Sequence, residues 1–146
     1  MAIRRDDPYT SFHFVVELGG FGDGAQGGFS EVSGLAVEVP GIDYRNGNEP
    51  GGMRKLPGIP GYGNITLKRG VIGDTALWDW VQQAQQGRVE RIDGVISLLN
   101  DEREPAMRWR FRRGWATRYS GPRFDAQANA VAIESVEIAH EGLSVD

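Results

Sequence analysis

Phe12, Phe14, Val16 and Leu18 alternate with His13, Val15 and Glu17 before the chain reaches Gly19-Gly20. A period of two puts successive side chains on opposite faces of an extended backbone, so this run predicts a first, half-buried strand. Beyond the glycine-rich connection 19–28, alternation resumes. Phe29, Glu31, Ser33, Leu35, Val37 and Val39 are interleaved with Ser30, Val32, Gly34, Ala36 and Glu38. This predicts a strand kinked or bulged at Gly34, because an interior glycine weakens pairing. Residues 64–69 (NITLKR) form a further short strand closed by Gly70.

The period then changes. Leu77, Trp80, Val81 and Ala84 fall at i, i+3, i+4 and i+7, which is one apolar stripe of a helix; Asp74 is suited to cap its start and Gly87 to stop it. Strand patterns return at 94–99 and, after a polar turn at 100–105, at 107–115, where Met107, Trp109 and Phe111 share one face and Arg108, Arg110 and Arg112 the other. The last strand, 131–143, places Val131 and Ile133 on odd positions but Val136 and Ile138 on even ones, so either a bulge near Glu134-Ser135 resets the register or both faces are covered.

Residues 40–63 break the pattern. PGIDYRNGNEPGGMRKLPGIPGYG holds four prolines and is excluded as a central strand. Tyr44, Met53, Leu56, Ile59 and Tyr62 are more apolar than an unpacked segment requires. Structureless loops of this length are uncommon in compact domains, so something is expected to cover this one.

Six to eight short strands and one helix in 146 residues describe a single mainly β domain, a barrel or sandwich with the helix packed on it. The 21 glycines fit many turns. The net charge of −4 gives no general reason to bind nucleic acid or anionic membrane. Seven arginines against one acid between 103 and 123 leave the rest of the chain acidic, which suits head-to-tail self-association as well as it suits an anionic ligand. With no cysteine, disulfides, Cys-ligated zinc and a cysteine nucleophile are excluded. No apolar run approaches the length of a membrane-spanning helix, and the first ten residues lack the apolar region of a signal peptide.

Candidate chemistry is thin. The 19–28 segment lacks the Lys-Ser/Thr and helix start of a phosphate loop. His13 and His140 belong to no metal or nucleophile pattern, and Asp101, Glu102 and Glu104 read as a solvated turn. RWRFRRGW at 108–115 resembles the arginine and aromatic mixture of single-strand binders, but strand alternation separates the two residue types onto opposite faces. The contrasting reading is therefore a monomeric small-barrel module for a ligand or nucleic acid. No enzyme, cofactor or metal site is expected.

Seven segments, in order, resemble the tail tube family of contractile phages and of extracellular contractile injection systems, to which the type VI secretion tube protein is distantly related. They are the strand at 12–17, FSEVSGL at 29–35, IDYRNGN at 42–48, KLPG at 55–58, NITLKRG at 64–70, LWDW at 77–80 and VAIESVEIAHEGL at 131–143. One segment departs: where relatives carry a proline after the tryptophan and a lysine before the tyrosine, this chain reads Trp115-Ala116-Thr117-Arg118-Tyr119. The resemblance implies a tail-tube-type β-barrel of two packed antiparallel sheets, with a flanking helix and a long extended loop. It implies hexameric rings stacked head to tail into a hollow tube, folded and assembled in the bacterial cytoplasm. The partners it implies are other copies, a contractile sheath, a baseplate, a tube-capping protein and DNA or protein cargo. In the family the extended segment, here 43–62, reaches adjoining subunits, and the arm at 1–10 is expected to order on assembly. Expected contacts are Tyr44, Arg45, Asn46, Arg54, Lys55, Leu56, Ile59 and Tyr62, with Arg108, Arg110 and Arg112 as a charged face.

Overall fold

Burial alternates along the strands as the sequence requires, and the computed structural model describes residues 7–19, 28–45, 47, 51–52 and 54–146. Among these the order is β1 (Phe14–Leu18), β2 (Phe29–Ser33), β3 (Val37–Glu38), β4 (Gly41–Tyr44), β5 (Arg54–Pro57), β6 (Gly61–Tyr62), β7 (Ile65–Gly70), α1 (Ala76–Gln85), β8 (Ile92–Leu99), β9 (Pro105–Ser120), β10 (Ile133–Ala139) and β11 (Gly142–Val145). The pairings are antiparallel, and the main path runs β1-β8-β9-β10-β7-β2, with β11 also on β9. The sheet curls so that Val16 and Leu18 of β1 enclose one core with Ile65 and Leu67 of β7 and Val136 and Ile138 of β10. This is the mainly β, barrel-type architecture with one flanking helix.

β9 holds the two halves together. Its first half pairs with β8 and β11 and its second with β10. Phe111 and Ala116 are both buried although their positions differ in parity. The reset lies at Arg113, whose φ of 53° is left-handed and whose N–H donates to Asp93 Oδ1 at 2.9 Å. Ala116, where a proline would constrain the strand, is opposite Ile138 in the core. The Phe111 ring fills the space beside Gly94 and Gly114, where an added Cβ would lie 2.3 and 2.6 Å from ring carbons. Two glycines on neighbouring strands thus make room for the largest fully buried side chain.

The helix buries Leu77 and Trp80, packs Val81 against the core and half buries Ala84. Its start differs by one residue from expectation. Thr75 is the N-cap, yet its side chain makes no capping bond; Asp74, one position earlier, accepts the Ala76 N–H at 2.8 Å. At the other end Gly87 has φ 82°, its N–H donates to Ala84 O, and the Arg88 N–H donates to Gln83 O. The two bonds close the last turn.

Three further expectations are revised. The first strand begins at Phe14, leaving Phe12 exposed. On β10 no reset occurs at Glu134-Ser135: Val131 and Ile133 face outward, and the inward position preceding Val136 is filled by the buried Glu134. The long loop at 43–62 carries strands at 43–44, 54–57 and 61–62. β3 pairs with β6 and β4 with β5, while Gly63 N–H to Ala36 O and Gly58 N–H to Pro40 O bridge the joints. Residues 29–70 therefore form one long hairpin in three pieces, and only its root, β2 with β7, belongs to the barrel. Pro40, Pro57 and Pro60 fall at or beside the joints, where a missing N–H costs least. Asn46 and Met53 lie outside the described residues, as do 1–6 of the arm and most of the 19–28 connection.

The kink predicted at Gly34 is real: φ is 88°, and a Cβ there would fall 2.0 Å from the Asn64 carbonyl oxygen. Gly34→Ala is expected to destabilise the fold by at least about 1–3 kcal/mol in urea titration. Gly61→Ala, with open space at the Cβ position, should stay within about 1 kcal/mol.

Candidate assembly interface

The β4/β5 ribbon has two faces set by its register. Ile42 lies opposite Leu56 and Tyr44 opposite Arg54, so these four share one face, while Asp43 and Lys55 occupy the other and pair at 2.5 Å. Among the described residues no second layer covers the ribbon. Ile42 is 53% exposed, Leu56 45% and Ile59 88%. A two-stranded ribbon with exposed apolar residues is marginal by itself in water, and a contiguous apolar face of this kind marks a surface for another molecule.

The root of the ribbon is fixed to the barrel by His140. Its Nε2 lies 3.0 Å from the Gly63 carbonyl oxygen and its Nδ1 3.0 Å from that of Gly142, and its ring packs against Tyr62 and Phe111. Tyr62 in turn lines a concavity of about 290 Å³ with Arg110 and Arg112. The structure thus brings Tyr62 to the arginine row, whereas Tyr44, Arg45, Arg54, Lys55, Leu56 and Ile59 extend away on the ribbon or its flanks. Within the row, Arg110 pairs with Asp146 at 3.3 Å, Arg112 lies over Gly142, and Arg108 is half-buried. Beyond the row, Arg113 pairs with Glu141.

At the far end of β7 from the ribbon lies a buried polar network that the sequence pattern missed. Arg69 and Glu134 are opposite each other across β7 and β10 and both point into the core. Arg69 Nε donates to Glu134 Oε1 at 2.7 Å, Tyr119 Oη donates to Glu134 Oε2 at 2.6 Å, and the same guanidinium reaches the Asp74 carbonyl oxygen at 3.4 Å. The signal was the odd and even conflict along 131–143, which an inward acid on β10 resolves. The network holds the 71–75 turn against the barrel. Beside it, Trp78 packs edge-on against Tyr119 while remaining largely exposed.

Residues 10–144 match the family model of the T4-like virus tail tube protein gp19. The chain belongs to that family. It is a structural inner-tube protein of the tail tube type and not an enzyme. A chain of the PVC extracellular contractile injection system, in its extended sheath–tube complex, is 33% identical over 95% of this protein and 91% of that one, with a TM-score of 0.84. A chain in the tube-terminating cap of the anti-feeding prophage is 30% identical over 100% of this protein and 95% of that one, with a TM-score of 0.86. Hcp1 from Flavobacterium johnsoniae shares the fold at 17% identity and a TM-score of 0.63, over 92% and 94% of the two chains. No curated protein sequence matches. The reading as a small-barrel binding module is not favoured by these likenesses.

Among the described residues of this tail tube protein, Tyr119 is the titratable group with a large displacement. Its hydrogen bond to Glu134, reinforced by burial, pushes the phenol from 10.0 up to about 12. Because the folded value is the higher, the stabilisation is fully present below pH 10 and is lost as pH rises through about 12. Tyr119→Phe should flatten the fall in stability over that window in pH-dependent melting. Glu134→Ala, which strands the buried Arg69 cation, should cost about 3–5 kcal/mol.

Proposed function

We propose that the protein closes into hexameric rings that stack head to tail as the hollow inner tube of a contractile particle. The tube lies within a sheath, meets a baseplate at one end and a capping protein at the other, and carries DNA or protein in its lumen. The observation that carries this reading is the exposed β4/β5 ribbon on a tail tube domain. Its supports are the similar chains found in a sheath–tube complex, a tube-terminating cap and a baseplate. The chain folds and assembles in the bacterial cytoplasm and becomes part of a phage tail or a released injection particle.

In the ring the ribbon face of Ile42, Tyr44, Arg54 and Leu56 is buried on another subunit, together with Arg45, Asn46, Lys55, Ile59 and Tyr62. The row of Arg108, Arg110 and Arg112 faces acids of a neighbour. Arg110 already holds Asp146, so Arg108 and Arg112 supply most of the attraction. The arm at 1–10 orders in the same step. The ordering cost is met when apolar and charged groups left open in the monomer are covered.

Mass photometry with negative-stain microscopy over a concentration series tests the reading. Rings of six and stacked tubes are expected, and Leu56→Asp combined with Arg54→Glu should raise the concentration needed for assembly at least about tenfold, the equivalent of about 1.4 kcal/mol. A wild-type protein that stays monomeric at high concentration would overturn it.

A further inference from the structure

His140 stands between two backbone carbonyl groups, with Nδ1 3.0 Å from the Gly142 oxygen and Nε2 3.0 Å from the Gly63 oxygen. A carbonyl oxygen only accepts, and a neutral imidazole carries a single N–H. In either neutral tautomer, therefore, one ring nitrogen turns its lone pair on an oxygen lone pair. With a proton on each nitrogen the ring donates to both carbonyls. The two contacts differ in what they join. Gly142 is two residues away in the chain and is held by β11 in register with Arg112 of β9. Gly63 is 77 residues away and stands at the joint where the 29–70 hairpin leaves the barrel.

We propose that His140 is a proton-operated clasp on that joint. Doubly protonated, it fastens Gly63 to the barrel; neutral, it keeps the local Nδ1–H bond to Gly142 and releases the Gly63 carbonyl. The charges around the ring suit an imidazolium. Arg110 and Arg113 are paired with Asp146 and Glu141, which leaves Arg112, lying over Gly142, as the cation that opposes a further positive charge. Against it stand two carboxylates whose hydrogen-bond donors are uncharged: Asp93 accepts the Arg113 backbone N–H, and Glu137 accepts from the Asn64 amide next to Gly63. From β6 and β9 the rings of Tyr62 and Phe111 flank the imidazole, with centroids at 5.5 and 5.9 Å, within the distance at which an aromatic ring attracts a cation. When the clasp opens, the joint keeps the Asn64 bond to Glu137 and the Gly63 N–H bond to Ala36 O. The hairpin stays attached and loses one restraint on its direction. Proton uptake by a single histidine thus sets how firmly the ribbon is aimed. The inference concerns one chain and holds whether or not copies assemble.

Nuclear magnetic resonance of the isotope-labelled, full-length protein, kept below its assembly concentration, reads the clasp directly. His140 is followed through its ring nitrogens as pH is lowered, with His13, the other histidine, as reference. The Gly63 carbonyl carbon resonance is expected to move downfield as His140 takes up its second proton, with the same midpoint. Over that transition the Gly63 amide, corrected for its intrinsic exchange rate, should gain about threefold to tenfold protection, the effect of one hydrogen bond. In His140→Gln, which has no proton to gain, both responses should vanish; if that variant does not fold, the wild-type titration decides alone. A Gly63 carbonyl that stays still, one that follows His13 instead, or a response of the same size and midpoint in His140→Gln overturns the clasp and leaves the tube reading standing.

Discussion

A two-stranded ribbon satisfies its inner hydrogen bonds but has nothing to bury its faces, and the rest of this molecule is arranged around that constraint. The hairpin from Phe29 to Gly70 begins in the barrel, where Phe29, Ile65 and Leu67 are buried, and leaves it at Gly34 and Asn64. Beyond that point its apolar residues face water. A monomer in which Ile42, Leu56 and Ile59 remain uncovered exposes the surface that aqueous folding disfavours. In the proposed assembly a neighbour covers this surface. His140, with one ring nitrogen 3.0 Å from the Gly63 carbonyl oxygen and the other 3.0 Å from that of Gly142, sits at the point of departure.

The opposite end of the barrel is built for rigidity. A buried arginine and glutamate facing each other across two strands would be costly if either lost its partner. Glu134 accepts from both Arg69 and Tyr119, and no buried polar side-chain atom among the described residues is left without a partner. The benefit lies in specificity of position: one guanidinium fastens β7, β10 and the helix start together. An apolar cluster of the same volume would fill the space without fixing the 71–75 turn.

Much of this architecture was legible in the sequence because a barrel strand and an amphipathic helix each impose a period. Phe14, Val16 and Leu18, the Trp109 and Phe111 face with its arginines behind, and the stripe Leu77, Trp80, Val81 and Ala84 all lie where periodicity places them. Two features escaped for physical reasons. The ribbon was hidden because Pro40, Pro57 and Pro60 punctuate it at its joints, and strands of two and four residues are too short for a period of two to show. Glu134 was hidden because an inward acid looks like an outward one until its partner Arg69, 65 residues away in sequence, is placed across from it. The proposed assembly contacts were legible only as an excess of apolar residues in a segment unsuited to the core, and through the family resemblance. Periodicity reports what faces the protein's own interior and is silent about what faces a neighbour.

Amide hydrogen exchange, compared between monomer and assembled tube, tests the central claim most directly. If the ribbon is completed by another subunit, residues 41–57 should exchange rapidly in the monomer and gain at least about tenfold protection in the tube, while β9 and β10 are protected in both states. Tubes in which 41–57 exchange as fast as in the monomer would show that the ribbon is not what joins the subunits, and the account would fail.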